Sequence, residues 1–276
     1  MVKIPTRHYQ QFDADYARPV PGEGFGGWRS AEVDLAPAHT AVVVMHAWEC
    51  GTMAQWPGWR RCVEYHPRAL QILREVFPPL LGAVRASPLP LFHVVGGRDY
   101  YSHLAGYRRT VKLAGPSPRY ARVRKDPVYR QLEQFRADRV FVGRHNRPDV
   151  RRGFARLGFA PEARPRPREP IAKDGHQLAA LCRAHGINHL VYIGFALNWC
   201  LLMSPGGMID LGRYGVLCST IPEAVTAVEN AATAREEREK AQALWRVSLN
   251  SGFIFGLTDF TRMLQGLPPR RPARRG

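Results

Sequence analysis

The sequence lacks the patterns that mark cofactor or metal binding on their own. Its 276 residues contain neither a G-x-G-x-x-G nor a P-loop pattern, which are the usual marks of nucleotide binding. The five cysteines, at positions 50, 62, 182, 200 and 218, are odd in number and show no CxxC spacing. A zinc site and a disulfide framework are therefore both unexpected. We expect no metal and no cofactor.

Long apolar runs are also missing. No run reaches the roughly 18 residues that span a bilayer. The first residues, MVKIPTRHYQQFDADY, have no apolar core of the kind that a secretion signal needs. Free cysteines are typical of a reducing compartment. Together these absences predict a cytoplasmic protein that does not bind a membrane.

Lysine is scarce, although the chain is strongly basic. Only five of the 40 basic residues are lysine, and the net charge is +17. Such a charge can indicate a nucleic-acid partner. The arginines form no single helical stripe, however, and cluster only in the loop 164–168 and in the tail 270–275. A scattered, solvated surface is the simpler interpretation, and nucleic acid is an unlikely partner.

The order of apolar segments predicts the fold class. Continuous apolar runs typical of buried parallel strands begin at residues 41, 90, 139, 189 and 214. Helical periodicity lies between them, at 64–84, 126–137, 175–185, 223–247 and 258–264. The helix from 223 is predicted from a capping box at 220–223. Strands that alternate with helices indicate an α/β protein, with a mainly parallel sheet between two helical layers.

The domain organisation follows from composition. Residues 1–38 are rich in Pro, Gly and charge and are predicted to form an irregular arm. Residues 39–266 form one predicted domain, and 267–276 form a basic tail rich in Pro and Arg. Ligands in such folds bind beyond the carboxyl ends of the strands.

The sequence 194–200, Gly-Phe-Ala-Leu-Asn-Trp-Cys, carries the clearest chemical signal. It follows a predicted strand and opens a helix, with Asn198 as a candidate N-cap. Free amides and the dipole at a helix N-terminus lower the pKa of a cysteine. We therefore expect Cys200 to be the most reactive of the five thiols. Taken alone, a buried structural cysteine is the commoner interpretation.

The segment 186–200 resembles the signature of the isochorismatase-like cysteine hydrolases. The likeness extends through 212–220 and 230–234, back to the strand 40–45 and forward to 252–258. The resemblance implies a sheet of about six parallel strands, Cys200 as nucleophile and a small C–N or carbonyl substrate. It also implies a cis peptide bond at Phe195–Ala196, with the Ala196 and Cys200 amides holding an oxyanion. Family members commonly form homo-oligomers, so we expect one here.

Two positions depart from the family pattern. The general base of the family is an aspartate, and His46 occupies that position here. Histidine is able to take a thiol proton, although a space-filling role is equally open. Glu49 is a second candidate base, and Trp48 begins a run of aromatic residues that we expect to roof the pocket. The family lysine falls near Arg144, which keeps the charge without exchanging protons, with His145 as the neighbouring alternative.

The sequence therefore predicts a hydrolase with an altered base. Its candidate catalytic residues are Cys200, His46 and Arg144; Phe195 and Ala196 form the oxyanion site; and Glu49, Trp48 and Asn198 contact the substrate. The alternative is an inactive relative that binds a ligand or a protein in the same pocket. The sequence Ser-Pro-Gly-Gly at 204–207 should also break the helix that follows Cys200.

Overall fold

The fold is α/β, as predicted, and the computed structural model describes residues 1–269. The strands are β1 (Val2–Gln10), β2 (Gly27–Leu35), β3 (Thr40–Met45), β4 (Trp48–Glu49), β5 (Leu91–Val94), β6 (Gly158–Phe159), β7 (Ile171–Ala172), β8 (His189–Gly194) and β9 (Leu217–Val225). The helices are α1 (Pro57–Cys62), α2 (His66–Glu75), α3 (Phe77–Ala86), α4 (Ala105–Ala114), α5 (Pro127–Arg139), α6 (Arg147–Ala155), α7 (Gly175–His185), α8 (Met208–Gly212), α9 (Arg238–Asn250) and α10 (Leu257–Gly266). The predicted tail at 270–275 lies outside the described residues.

The central sheet is parallel and has the order β7-β5-β3-β8-β9. Its five strands fall short of the six that the resemblance implies. The segment 251–255 lies beside β9, in the position of a sixth strand, without forming a regular strand. The Thr220 amide donates to the Phe253 carbonyl, and the Thr220 carbonyl accepts from the Phe255 amide. Ile254 in turn bridges to Arg7 of β1, so the chain beyond β9 extends the sheet.

The strands are buried on both faces because their residues are apolar without interruption. Side chains of β3 alternate between the two layers, with Val42 and Val44 packing against α2, α3 and α10. Ala41, Val43 and Met45 face α7, α8 and α9. This is the predicted arrangement of a sheet between two helical layers. No helix among residues 1–269 is both long and apolar enough to cross a membrane.

The predicted irregular arm is wrong in its secondary structure. Residues 2–35 form an antiparallel hairpin of β1 and β2, paired from Val2–Leu35 to Gln10–Gly27. Alternation of buried Ile4 and Thr6 with exposed neighbours favours a strand. Tyr9 packs between Trp28 and Trp245, which holds the hairpin on the domain.

Two predicted elements are also corrected. The run 139–142 is the end of α5 and a loop, with Val140 and Phe141 exposed, and β7 occupies the sheet edge instead. The capping box at 220–223 is not used, because Thr220 donates its hydroxyl to the Tyr192 carbonyl across the sheet. β9 therefore continues to Val225, and α9 begins only at Arg238.

Candidate active site

The carboxyl ends of two neighbouring strands bring His46 and Cys200 to one rim of the sheet. β3 and β8 pair in parallel up to Met45 and Gly194, so the residues that follow each strand emerge side by side. Gly194 is required at this point, because a Cβ there would lie 2.0 Å from the Met45 carbonyl oxygen and its φ is +127°. Cys200 follows within a π-helical turn, Leu197–Leu201.

His46 and Cys200 both line one cavity of about 190 Å³. The walls are mainly aromatic and aliphatic, and the lining residues are His46, Trp48, Cys50, Trp59, Val63, Tyr65, His66, Ala69, Leu70, Leu73, Phe141, Val142, Val150, Phe154, Phe195, Trp199 and Cys200. Among the described residues, the lining contains no aspartate, glutamate, lysine or arginine. An apolar cavity favours the neutral forms of histidine and cysteine over their charged forms.

The backbone at His46 is strained and turns the side chain away from the strand direction. Its φ is 52°, in the left-handed region that residues other than glycine rarely adopt. The imidazole stacks on the Trp48 indole, with ring centroids 4.6 Å apart and an angle of 20° between planes. A Cβ at Gly96 would lie 2.9 Å from His46 Nε2, so the glycine at the end of β5 leaves room for the ring.

The His46 imidazole is buried and has no hydrogen-bond partner at either ring nitrogen within residues 1–269. Burial lowers its pKa to about 4, and the nearby Val95 backbone offsets this only in part. The Val95 backbone does not meet the geometry of an ordinary hydrogen bond to the His46 ring. His46 is therefore neutral at pH 7, and one ring nitrogen carries a free lone pair that is able to accept a proton.

Burial raises the pKa of the Cys200 thiol, although hydrogen bonds from Ser204 and the Ala196 backbone lower it in part. The sequence-based expectation of a lowered pKa is therefore wrong in sign. Desolvation of the thiolate outweighs the nearby hydrogen-bond donors. Burial raises the pKa of Cys50 and of Cys182 further, to about 12 for each. Cys200 rests as a neutral thiol.

The Phe195–Ala196 peptide bond is cis, the geometry that the resemblance implies at this position. The Phe195 ring lines the cavity and stacks on Phe77, with centroids 5.8 Å apart. The Ala196 backbone lies near the Cys200 thiol and lowers its pKa in part against the larger effect of burial. The role of Ala196 as an oxyanion donor stays a prediction.

Four predicted site residues lie outside the cavity lining, namely Arg144, Glu49, Ala196 and Asn198. Arg144 is exposed in the loop between α5 and α6, and its neighbour His145 is exposed as well. Glu49 is exposed at the end of β4. The run 139–142 forms no strand, and its loop turns Phe141 and Val142 to the cavity while Arg144 remains exposed.

Asn198 does not cap a helix or face the cavity. Ala196 takes the N-cap position, without a side-chain hydrogen bond. The Asn198 amide instead donates to the Val228 carbonyl and accepts from the Val228 amide, both at 2.8 Å. The residue therefore fastens the segment after β9 to the turn that carries Cys200. The helix also breaks after Met203, as predicted, and the chain turns at 204–207 before α8.

Several lining residues were not singled out as site residues from the sequence. Trp59 and Tyr65 belong to the aromatic run expected to roof the pocket, and both line it. His66 was missed, and burial lowers its pKa to about 4. Cys50 also lines the cavity. Burial raises the pKa of the Tyr65 phenol, with smaller contributions from Cys200 and Cys50. The sequence signal for these residues was that Tyr65 and His66 lie four and three residues before Ala69, a spacing that places side chains on one face of a helix.

Comparison with known proteins gives structural matches only. No family model and no curated protein matches the chain. A cysteine hydrolase from Pseudomonas syringae pv. phaseolicola 1448A matches at 15% identity and a TM-score of 0.48, over 84% of this chain and 94% of the other. An isochorismatase-like hydrolase from Alkaliphilus metalliredigens matches at 13% identity and a TM-score of 0.47, over 82% of this chain and 98% of the other. N-carbamoylsarcosine amidase from Thermoplasma acidophilum matches at 14% identity and a TM-score of 0.40, over 79% of this chain and 96% of the other.

One of these structures carries the name of the family that the sequence resembles. Identities and TM-scores this low support no activity and no residue role, and none is transferred to this chain.

Proposed function

We propose that the protein is a thiol hydrolase in which Cys200 attacks the carbonyl carbon of a small, uncharged C–N compound and His46 acts as the base. One observation carries the proposal: the Cys200 thiol and a neutral imidazole with no hydrogen-bond partner line the same apolar cavity. Covalent hydrolysis requires the base within hydrogen-bond reach of the nucleophile. Neither His46 ring nitrogen is hydrogen-bonded to Cys200 in the free protein, and we propose that substrate binding brings the two groups together, since catalytic hydrogen bonds often tighten only in the substrate complex.

The reaction proceeds through a thioester. As Cys200 Sγ bonds to the carbonyl carbon, His46 takes the thiol proton and then delivers it to the leaving nitrogen, so that the C–N bond breaks and the amine departs. Water then attacks the thioester, His46 takes a proton from the water, and that proton returns to Sγ as the acid is released. Because both groups are neutral at rest, the proton moves during attack and not before it.

The cavity lining supports an uncharged and planar substrate. Trp48, Phe141, Phe195 and Trp199 offer ring faces and edges for stacking on a flat group. The volume of about 190 Å³ suits a single-ring compound, since a dry cavity of roughly 150 Å³ holds benzene. A charged substrate would lose its hydration without gaining a counter-ion from the lining residues.

The test is amide hydrolysis. The protein is incubated with the uncharged amides benzamide and nicotinamide and with the charged amide 4-carbamoylbenzoate, and ammonia release is followed at pH 7. We expect turnover of the uncharged amides, loss of at least about a hundredfold in Cys200→Ser, and parent-like rates in Cys182→Ser, whose thiol is buried in α7. Equal rates in parent and Cys200→Ser would overturn the proposal.

A second candidate is a ligand-binding protein without catalysis. It is favoured by the cavity lining, which holds neither a carboxylate nor a lysine among the described residues. The two candidates separate in one experiment: saturable binding of benzamide by calorimetry, with no product from parent protein, supports the binding protein and removes the hydrolase.

A further inference from the structure

A second and larger cleft lies on the opposite rim of the sheet, about 770 Å³ in volume. It opens at the amino ends of β5 and β7, between α4, α7 and the loop before β7. Its lining includes Arg85, Arg109, Arg166, Arg168 and His185, and Glu169 is the single carboxylate among the lining residues that the structure describes. The Cys200 cavity shares no lining residue with it.

The single carboxylate of this cleft is already occupied. Glu169 accepts two hydrogen bonds from Arg85, at 2.8 and 3.1 Å, one from His93 Nε2 and one from the Arg166 amide. Its one negative charge therefore offsets Arg85. Among residues 1–269, Arg109, Arg166 and Arg168 form no ion pair. The cleft consequently holds three uncompensated guanidinium groups.

The arginines are arranged by the local backbone before any ligand arrives. Arg109 Nη2 donates to the Pro167 carbonyl at 2.6 Å, which ties α4 to the loop. Gly106 permits this approach, because a Cβ there would lie 2.2 Å from the Glu169 carbonyl oxygen. Pro165 and Pro167 restrict φ between the arginines of the loop. The Arg109 side chain and the loop backbone are therefore ordered before a ligand binds, whereas the exposed side chains of Arg166 and Arg168 lose rotamer freedom on binding.

We propose that this cleft binds a small organic molecule that carries two or more phosphate groups. Guanidinium groups bind phosphate oxygens in pairs, and three of them match a polyphosphate better than a single carboxylate. Leu113 lines the cleft and is half exposed, so it offers apolar contact to an organic group. A volume of about 770 Å³ lies within the range of about 300–1,000 Å³ typical of small-molecule sites. Single-stranded nucleic acid binds grooves in which bases stack on exposed aromatic side chains, whereas Phe92 of this cleft is fully buried.

The test is titration of the full chain with ATP and with inorganic tripolyphosphate by calorimetry, at two salt concentrations. We expect ATP to bind, with affinity that falls as salt rises. The double variant Arg166→Gln/Arg168→Gln should weaken ATP binding about tenfold or more, since it removes charge-assisted hydrogen bonds. The control Arg29→Gln/Arg235→Gln removes the same charge at exposed positions elsewhere and should bind like the parent.

Three results would overturn the proposal: no binding of ATP, equal weakening by the control pair, or binding of a single-stranded oligonucleotide without binding of ATP. Cys200→Ser should bind ATP normally, because the two sites lie on opposite rims of the sheet.

Discussion

Glu169→Gln should destabilise the protein in a way that depends on pH. Glu169 is 7% exposed and accepts hydrogen bonds from Arg85, His93 and the Arg166 amide. Burial alone would raise its pKa, but these donors outweigh burial and lower the pKa from 4.5 to about 2. Glutamine keeps the shape and removes the charge, which leaves Arg85 without its counter-ion.

The magnitude follows from the shift in pKa. A difference of 2.5 between 4.5 and about 2 corresponds to about 3 kcal/mol of folding free energy, at about 1.4 kcal/mol per pKa unit. Because the folded pKa is the lower one, this stability is present above pH 4.5 and is lost as the pH falls towards 2. At pH 3 about half of it should remain. Loss of one partner of a buried ion pair costs a similar amount, about 3–5 kcal/mol.

The assay is urea unfolding of parent and variant at pH 7, 5, 4 and 3, followed by circular dichroism. The free energy of unfolding of the parent should exceed that of Glu169→Gln by about 3 kcal/mol at pH 7, and this difference should become smaller below pH 4.5. Glu32→Gln, at an exposed position of β2, should match the parent throughout. A gap that stays constant from pH 7 to 3 would refute the argument, because the loss would then come from packing and not from the charge.

Three further predictions concern the Cys200 site. The kcat/KM for a neutral amide should rise as the pH increases through about 4 and be level by pH 6, because neutral His46 is the base and its pKa is about 4. A midpoint near pH 6.5 in this profile would assign the base to another group. Gly96→Ala should lower kcat/KM about tenfold to a hundredfold, since its Cβ would lie 2.9 Å from His46 Nε2, whereas Gly82→Ala, with open space around its Cβ, should not lower activity. Asn198→Ala should reduce the free energy of unfolding by about 1–3 kcal/mol through loss of both Val228 hydrogen bonds, measured by urea unfolding; an unchanged stability would show that these bonds contribute nothing.

The sequence predicts the sheet core well because that core is locally encoded. The runs at 41–45 and 189–193 are apolar without interruption, and each became a strand buried on both faces. α7 was predicted with its observed bounds, since Asp174 caps it and Gly186 ends it in the left-handed conformation. These signals lie within a few residues of the structures they specify.

The errors arise where distant residues decide the outcome. Thr220 and Glu223 match a capping box, but Thr220 hydrogen-bonds to Tyr192 of β8, which no local pattern reveals. The apolar run 139–142 lacks a partner strand, so it remains a loop. Arg144, which follows this run, remains exposed outside the cavity lining, whereas the placement of His46 and Cys200 depended only on β3 and β8 and held. The pKa of Cys200 was misjudged because the apolar walls come from α1, α2 and α6.

The central claim is that Cys200 forms a covalent acyl intermediate, and trapping that intermediate tests it most directly. The protein is mixed with S-methyl thiobenzoate, a single-ring acyl donor, at pH 7, quenched in acid within seconds, digested and analysed by mass spectrometry. The account predicts one benzoyl group on the peptide that contains Cys200, slower acylation in His46→Ala, and no such adduct in Cys200→Ser. Benzoylation at Cys50 or Cys62 instead, or no adduct in the parent, would contradict it.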